Sequence, residues 1–195
     1  GDVYKRQILL SMDEVQTGFG RTGKNFAHQL FGVKPDIMGC GKAAGGGILP
    51  VSFVAGSDEV LGVLTPGSEG STFGGYPLAS VVGTYAIKVM VDANLAENAE
   101  ILGELFRNEL RSRLKDCEIV SLIRGKGLLN AIVINDSDQS TTAWDMCISL
   151  KEMGLLAKPT HGNIIRFAPP LVITKDEMFQ ALDIIERVVR KYESR

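Results

Sequence analysis

The chain has 195 residues, of which 45% are hydrophobic and 23% charged, and its 21 basic and 23 acidic side chains leave a formal charge of −2. That balance excludes a basic nucleic-acid binder, and the apolar share excludes a disordered or collagen-like chain. Three widely spaced cysteines and two distant histidines exclude a disulfide framework and a metal cluster, and no 18-residue apolar run is present to span a bilayer.

The cysteine usage points to a reducing compartment. Residues 1–7 are polar and mixed in charge, unlike a signal peptide, and run straight into the apolar Ile8-Leu9-Leu10. Such a start predicts a scar or junction over 1–7, with further sequence before it. Residues 8–12 read as a buried strand ending at the carboxylates of Asp13-Glu14. Residues 16–36 are glycine-rich and polar, with Pro35-Asp36 as a turn. Ile37-Met38 is a very short second strand, and Val51 to Ala55 a weakly alternating third. Residues 65–76 form a long Gly/Ser/Thr loop, and such loops inside a compact domain are usually functional.

Pro77 suits the first position of a helix running to about Val91. Asn94 with Glu97 resembles a capping box for the next helix, where Leu95, Ala99, Leu102, Phe106, Leu110 and Leu114 make one apolar face. Residues 128–134 read as a strand, and 141–153 as a helix closed by Gly154. Residues 164–167 are another strand, stopped by Pro169-Pro170. Thr174 and Glu177 form a second capping box before a final helix with Met178, Leu182, Ile185, Val189 and Tyr192 on one stripe. Residues 1–76 hold most of the glycine, whereas 95–195 read as an ordinary α+β module. The chain therefore divides into a ligand-facing part, 1–94, and a second domain, 95–195.

The 22 glycines exceed the average share of about 7%, and five of them, Gly39, Gly41, Gly45, Gly46 and Gly47, surround Lys42. A Walker A loop fails here, because Asp36 replaces its first glycine and Ala43 follows the lysine. A dinucleotide fingerprint must open a helix, and Gly45 to Gly47 followed by Pro50 leaves no room for one. The remaining chemical reading is a lysine held by glycines so that a flat ligand can approach the backbone. In an apolar setting such a lysine loses pKa by desolvation and becomes a nucleophile for carbonyls. Taken alone, Lys42 reads equally as a surface lysine beside a flexible turn, Asp13-Glu14 as a solvated strand end, and Ser71-Thr72 as a plain surface loop. Together they match the needs of a pyridoxal phosphate site: an aspartate for the pyridine nitrogen, a lysine, and a hydroxyl-rich phosphate cradle.

The segments D-E-V-Q-T-G-F-G-R-T-G from Asp13, P-D-I-x-x-x-G-K-A-x-x-G-G from Pro35 and G-S-T-F-G-G-x-P-L-A from Gly70 occur in fixed order. In that order they resemble the class III pyridoxal phosphate-dependent aminotransferases, from about Ile8 to the C-terminus. The tail segments from Arg124 to Ala131 and from Gly154 to Pro170 are similar to members of that class acting on ornithine. The resemblance implies a fold-type I α/β architecture: part of a large domain with a mostly parallel sheet, then a small C-terminal α+β domain. It implies that Lys42 forms the Schiff base with pyridoxal 5′-phosphate, that Asp13 faces the pyridine nitrogen and that Gln16 contacts the 3-hydroxyl oxygen. Ser71 and Thr72 are implied to bind the phosphate across a homodimer interface, and Arg166 the carboxylate of the amino or keto acid.

The implied reaction moves the δ-amino group of ornithine to 2-oxoglutarate, with no metal, nucleic acid or membrane involved. The same Asp13, Lys42 and Thr72 motifs fit members acting on acetylornithine or 4-aminobutyrate, against which Lys158-Pro159-Thr160-His161-Gly162 argues. Tyr76 departs from the asparagine usual at its position. The family's upstream half, with its phosphate-binding turn, ring-stacking aromatic and a glutamate partner for Arg166, has no counterpart here. The chain therefore reads as a C-terminal half, either a truncated site or a non-catalytic module by itself. The compartment implied is the mitochondrial matrix, with the cytoplasm as the alternative.

Overall fold

The computed structural model of the chain describes residues 8–193, so the junction expected over 1–7 lies outside the described residues. Two compact units divide it, one ending at Ala96 and one beginning at Glu97.

The first unit carries a three-stranded sheet. β1 (Ser11–Asp13) pairs in parallel with β2 (Ile37–Cys40), which pairs antiparallel with β3 (Phe53–Gly56). A single turn, α1 (Asp58–Leu61), leads into the long loop, and α2 (Pro77–Asp92) follows with Pro77 at its first position. β1 is shorter than the apolar run predicts. The Leu10 amide donates to the Asp36 carboxylate at 2.8 Å instead of a ladder, and Ile8 and Leu9 stay exposed at the sheet edge. The core of this unit is small: Phe19, Cys40, Ala44 and Met90, with Phe26, Met38, Val51 and Leu95 against it. Leu78, Val81, Tyr85 and Val89 form an exposed apolar stripe along α2.

The second unit is built on a four-stranded antiparallel sheet. α3 (Leu95–Arg113) enters it, followed by β4 (Val120–Lys126), β5 (Leu129–Ile134), α4 (Thr142–Glu152), β6 (Lys158–Thr160), β7 (Ile164–Phe167) and α5 (Lys175–Glu193). The strand order is β4-β5-β7-β6. The predicted apolar face of α3 is buried at Ala99, Leu102, Phe106 and Leu110, and that of α5 at Met178, Leu182, Ile185 and Val189. These side chains pack on Ile132, Ile134, Ile165 and Phe167, one face of the sheet. Two strands, β4 and β6, were not legible as such: β4 has a single buried residue, Ile123, and β6 has three residues including Pro159.

The Thr174–Glu177 capping box forms, with Glu177 N–H donating to Thr174 Oγ1 at 3.2 Å and Thr174 N–H to Glu177 Oε2 at 2.8 Å. The box expected at Asn94 is corrected. Asn94 has φ 51°, left-handed, and its amide donates to Val91 O, so it closes α2. Asparagine tolerates that conformation better than most residues.

α3 meets the β4–β5 turn at close range. Arg107 is buried and donates to Gly127 O at 3.1 Å and to Asn130 Oδ1 at 2.8 Å. A Cβ at Gly103 would run into the Gly127 backbone. Gly103→Ala is therefore expected to destabilise the chain by about 3 kcal/mol through overpacking, read as a lowered urea midpoint with an unchanged m-value.

Candidate active site

Asp13 is paired with Gly39 at the register of two parallel strands, and Lys42 follows β2 by two residues. Both therefore stand at the carboxyl ends of neighbouring strands, where ligands of α/β sheets bind. The Asp13 carboxylate is exposed and orientated by its own turn: Val15 N–H donates to Oδ1 at 2.9 Å. Gln16 is exposed one residue further along that turn. Above Gly39 there is open space, with nothing within 4 Å of a Cβ built there. Gly41 is closed in, since its Cβ would meet Val15 Cγ1 at 3.4 Å and the Ser52 Cβ at 3.6 Å. This contact brings the Asp13–Gln16 turn and the lysine turn together.

Lys42 opens a four-residue 3₁₀ turn, Lys42–Gly45, rather than a helix, which agrees with the failure of both nucleotide-loop readings. The turn sits on α2 through Gly83, whose Cβ would lie 3.3 Å from Ala44 O. Lys42 itself has φ 48°, the left-handed region. Its side chain is exposed.

Glu14 is the residue that motif reading passed over. Its carboxylate is 1% exposed and takes hydrogen bonds from Thr17 Oγ1, from Ala27 N–H at 3.0 Å and from His28 N–H at 2.8 Å. His28 Nδ1 lies 3.1 Å from Oε1. Burial pushes the carboxyl pKa up, but the Thr17, His28 and Ala27 hydrogen bonds outweigh it and hold the pKa below the ordinary glutamate value. Successive residues at a strand end point to opposite faces, so Asp13 faces out and Glu14 faces in. That alternation, with Thr17 three residues on, was the available signal.

Ser71 lines a cavity of about 500 Å³ with Ser52, Phe53, Tyr76, Ser80 and Thr84. Thr72 is exposed on the adjoining loop. Ser52 of this lining also borders Gly41. Arg166 stands in the second unit, half-buried on β7 between Ala131 of β5 and Lys158 of β6. The three cysteines are buried, and burial pushes Cys147 up to about 11 and raises Cys40 and Cys117, so none is an activated thiol.

The family model for class-III aminotransferases matches residues 3–189. The chain belongs to that family. Among curated class-III relatives, the mitochondrial ornithine aminotransferase of Drosophila melanogaster is 52% identical over 95% of this chain and 42% of its own length. The ornithine aminotransferase of Emericella nidulans is 50% identical over 95% of this chain and 40% of its own. Two solved structures superimpose closely. The acetylornithine aminotransferase of Elizabethkingia anophelis has a TM-score of 0.93 at 50% identity, covering 96% of this chain and 47% of that one. The ornithine δ-aminotransferase of Plasmodium falciparum has a TM-score of 0.93 at 42% identity, covering 98% and 48%. The class-III chain described here has the fold-type I architecture and spans less than half the length of these relatives. Class-III aminotransferases depend on pyridoxal phosphate, and some of the relatives, in Drosophila and rat, are named mitochondrial.

Proposed function

We propose that the protein carrying this chain is a pyridoxal phosphate-dependent aminotransferase that moves the δ-amino group of ornithine to 2-oxoglutarate. The products are glutamate 5-semialdehyde and glutamate. The observation that carries this reading is the placement of Asp13 and Lys42 at the carboxyl ends of adjacent parallel strands, with open space over Gly39, the residue that Asp13 pairs with. The donor set fits the cofactor: an exposed carboxylate and an exposed primary amine follow neighbouring strands, and the hydroxyls of Ser71 and Thr72 stand exposed on the long loop, free to reach a partner's site. Pyridoxal phosphate, when bound, supplies an electrophilic carbonyl and a ring that accepts an electron pair.

Lys42 would hold the cofactor through its Nζ, and the same amine would serve as the base that moves the substrate proton. Asp13, whose Oδ1 accepts from Val15 N–H, would take a hydrogen bond from the protonated ring nitrogen on its remaining oxygen. Gln16 would contact the ring hydroxyl oxygen, and Ser71 and Thr72 would donate to the phosphate of a partner's site across the homodimer interface. Arg166 takes a substrate carboxylate in its guanidinium fork. A homodimer is supported by the exposed stripe Leu78, Val81, Tyr85 and Val89, an apolar helix face of the kind that oligomers cover. The mitochondrial names of some relatives support a matrix location, with the cytoplasm as the alternative.

The test uses the longest natural protein containing this sequence, supplied with pyridoxal phosphate, ornithine and 2-oxoglutarate. Stoichiometric glutamate and semialdehyde are expected, with ping-pong kinetics. The 50% identity to the Elizabethkingia acetylornithine aminotransferase favours a second reading, in which the donor is N-acetylated. Turnover of acetylornithine but not ornithine would decide for it.

A further inference from the structure

Arg107 of α3 is a buried cation that the proposed chemistry does not use. Both of its acceptors are uncharged: Gly127 O at 3.1 Å and Asn130 Oδ1 at 2.8 Å. Burial pulls its pKa down from the ordinary arginine value. Asn130 is buried as well and donates its own amide to Gly127 O at 3.1 Å. Taking a cation out of water is costly, and apolar side chains of similar volume often pack at least as stably. α3 already has its packing face in Ala99, Leu102, Phe106 and Leu110. Stability therefore does not account for an arginine here. What a buried polar pair supplies is a unique alignment.

The sheet needs such alignment. β5 reads Leu-Asn-Ala-Ile-Val-Ile and β7 Ile-Ile-Arg-Phe, so apolar residues fall on both faces and their pattern does not choose between two registers. Asn130 is the polar residue of β5. It pairs with Gly125 of β4 on one side and with Phe167 of β7 on the other. A Cβ at Gly125 would run into Asn130 Oδ1, so the carboxamide lies directly over the β4 backbone. Phe167 meets Phe106 with ring centroids 5.6 Å apart. Two successive residues of α3, Phe106 and Arg107, thus grip Phe167 and Asn130. The next rung is Arg124–Ala131–Arg166. Successive residues alternate faces, so Arg166 projects on the side away from α3. A slip of one residue in β7 would turn it into the core.

We propose that Arg107 is a positioning residue: by holding Asn130 it pins the register of β5 and β7 and keeps the Arg166 guanidinium where a substrate carboxylate meets it. This role rests on the carboxylate contact proposed for Arg166. Arg107 itself touches no substrate. Its loss frees the rung beside Arg166 to shift, and misplacing a binding group by about 1 Å can cost about 10²-fold.

The test measures kcat and the KM for 2-oxoglutarate in the full-length protein with its cofactor. Arg107→Gln should raise KM about tenfold with kcat within about twofold, because a binding group moves while the chemistry stays. A residue needed only for stability would instead lower the active fraction, which lowers apparent kcat and leaves KM unchanged. Val188→Ala, a core truncation on α5, supplies that comparison. Asn130→Ser breaks the same bond from its other end and should raise KM about fivefold. It decides the matter where Arg107→Gln does not fold. Arg166→Met should raise KM at least as far, and adding Arg107→Gln to it should raise it no further, since both act through one guanidinium. An unchanged KM in Arg107→Gln and Asn130→Ser, or a double variant whose effects add, overturns the proposal. If Arg166→Met also leaves KM unchanged, the carboxylate reading of Arg166 falls too. If Arg166→Met alone raises KM, only the positioning role falls.

Discussion

Lys42→Ala should abolish transamination, with a loss of at least about 10⁴-fold, because one amine both holds the cofactor carbonyl and moves the proton. The visible absorption of the bound cofactor should vanish with it, which separates lost attachment from lost folding. The backbone adds a second readout. Lys42 has φ 48°, a conformation that costs a non-glycine residue about 1–2 kcal/mol. The site therefore holds its reactive residue in strain that the surrounding turn must offset: Gly41 packs on Val15 and Ser52, and Ala44 and Gly45 are buried beside it. Lys42→Gly removes the amine and the strain together, whereas Lys42→Ala removes only the amine. In the cofactor-free protein, Lys42→Gly should thus be more stable than Lys42→Ala by about 1 kcal/mol, read from urea midpoints. Equal midpoints would mean that the turn does not store strain at this residue.

The elements that the sequence made legible are those whose side chains answer to one rule. The period of Ala99, Leu102, Phe106 and Leu110 is the period of a helix, and the structure buries that face. Thr174 and Glu177 are a local motif that needs only four residues to form. The strands β4 and β6 escape such rules because partners far along the chain define them. Arg124, exposed in β4, is ordered by its pairing with Ala131, and Pro159 sits in an edge strand where its missing donor costs nothing. The run at Ile8 misled because apolar character alone does not supply a ladder partner. The motifs around Asp13 and Lys42 were legible as residue types at given spacings. The parallel register that sets Asp13 against Gly39, three residues before Lys42, comes from pairing, which no local pattern states. Glu14 was masked by its neighbour, since a strand end offers two carboxylates and the motif draws attention to the exposed one.

Glu14→Ala should destabilise the first unit by about 3 kcal/mol, because it strands the Thr17 hydroxyl and the Ala27 and His28 amides at a buried site. Those donors come from both ends of the 14–28 turn, which carries Gln16 and adjoins Asp13. Cofactor affinity should therefore fall with stability. Glu14→Gln keeps the shape but turns an amide toward donors, so its cost should be about 1–2 kcal/mol at pH 7. The pH dependence follows from the lowered folded pKa. In the unfolded chain Glu14 titrates near its ordinary value of about 4.3. Above that value both states are ionised and the stabilisation is fully present. As pH falls through the lower folded value, the unfolded state binds its proton first and the stabilisation is lost. Wild type and Glu14→Gln should accordingly differ most near neutrality and converge in acid, where both carry an uncharged side chain. A gap between their urea midpoints that stays constant from pH 7 down to about pH 3, below the unfolded value, would show that the charge of Glu14 contributes nothing, and that only its shape holds the turn beneath Asp13.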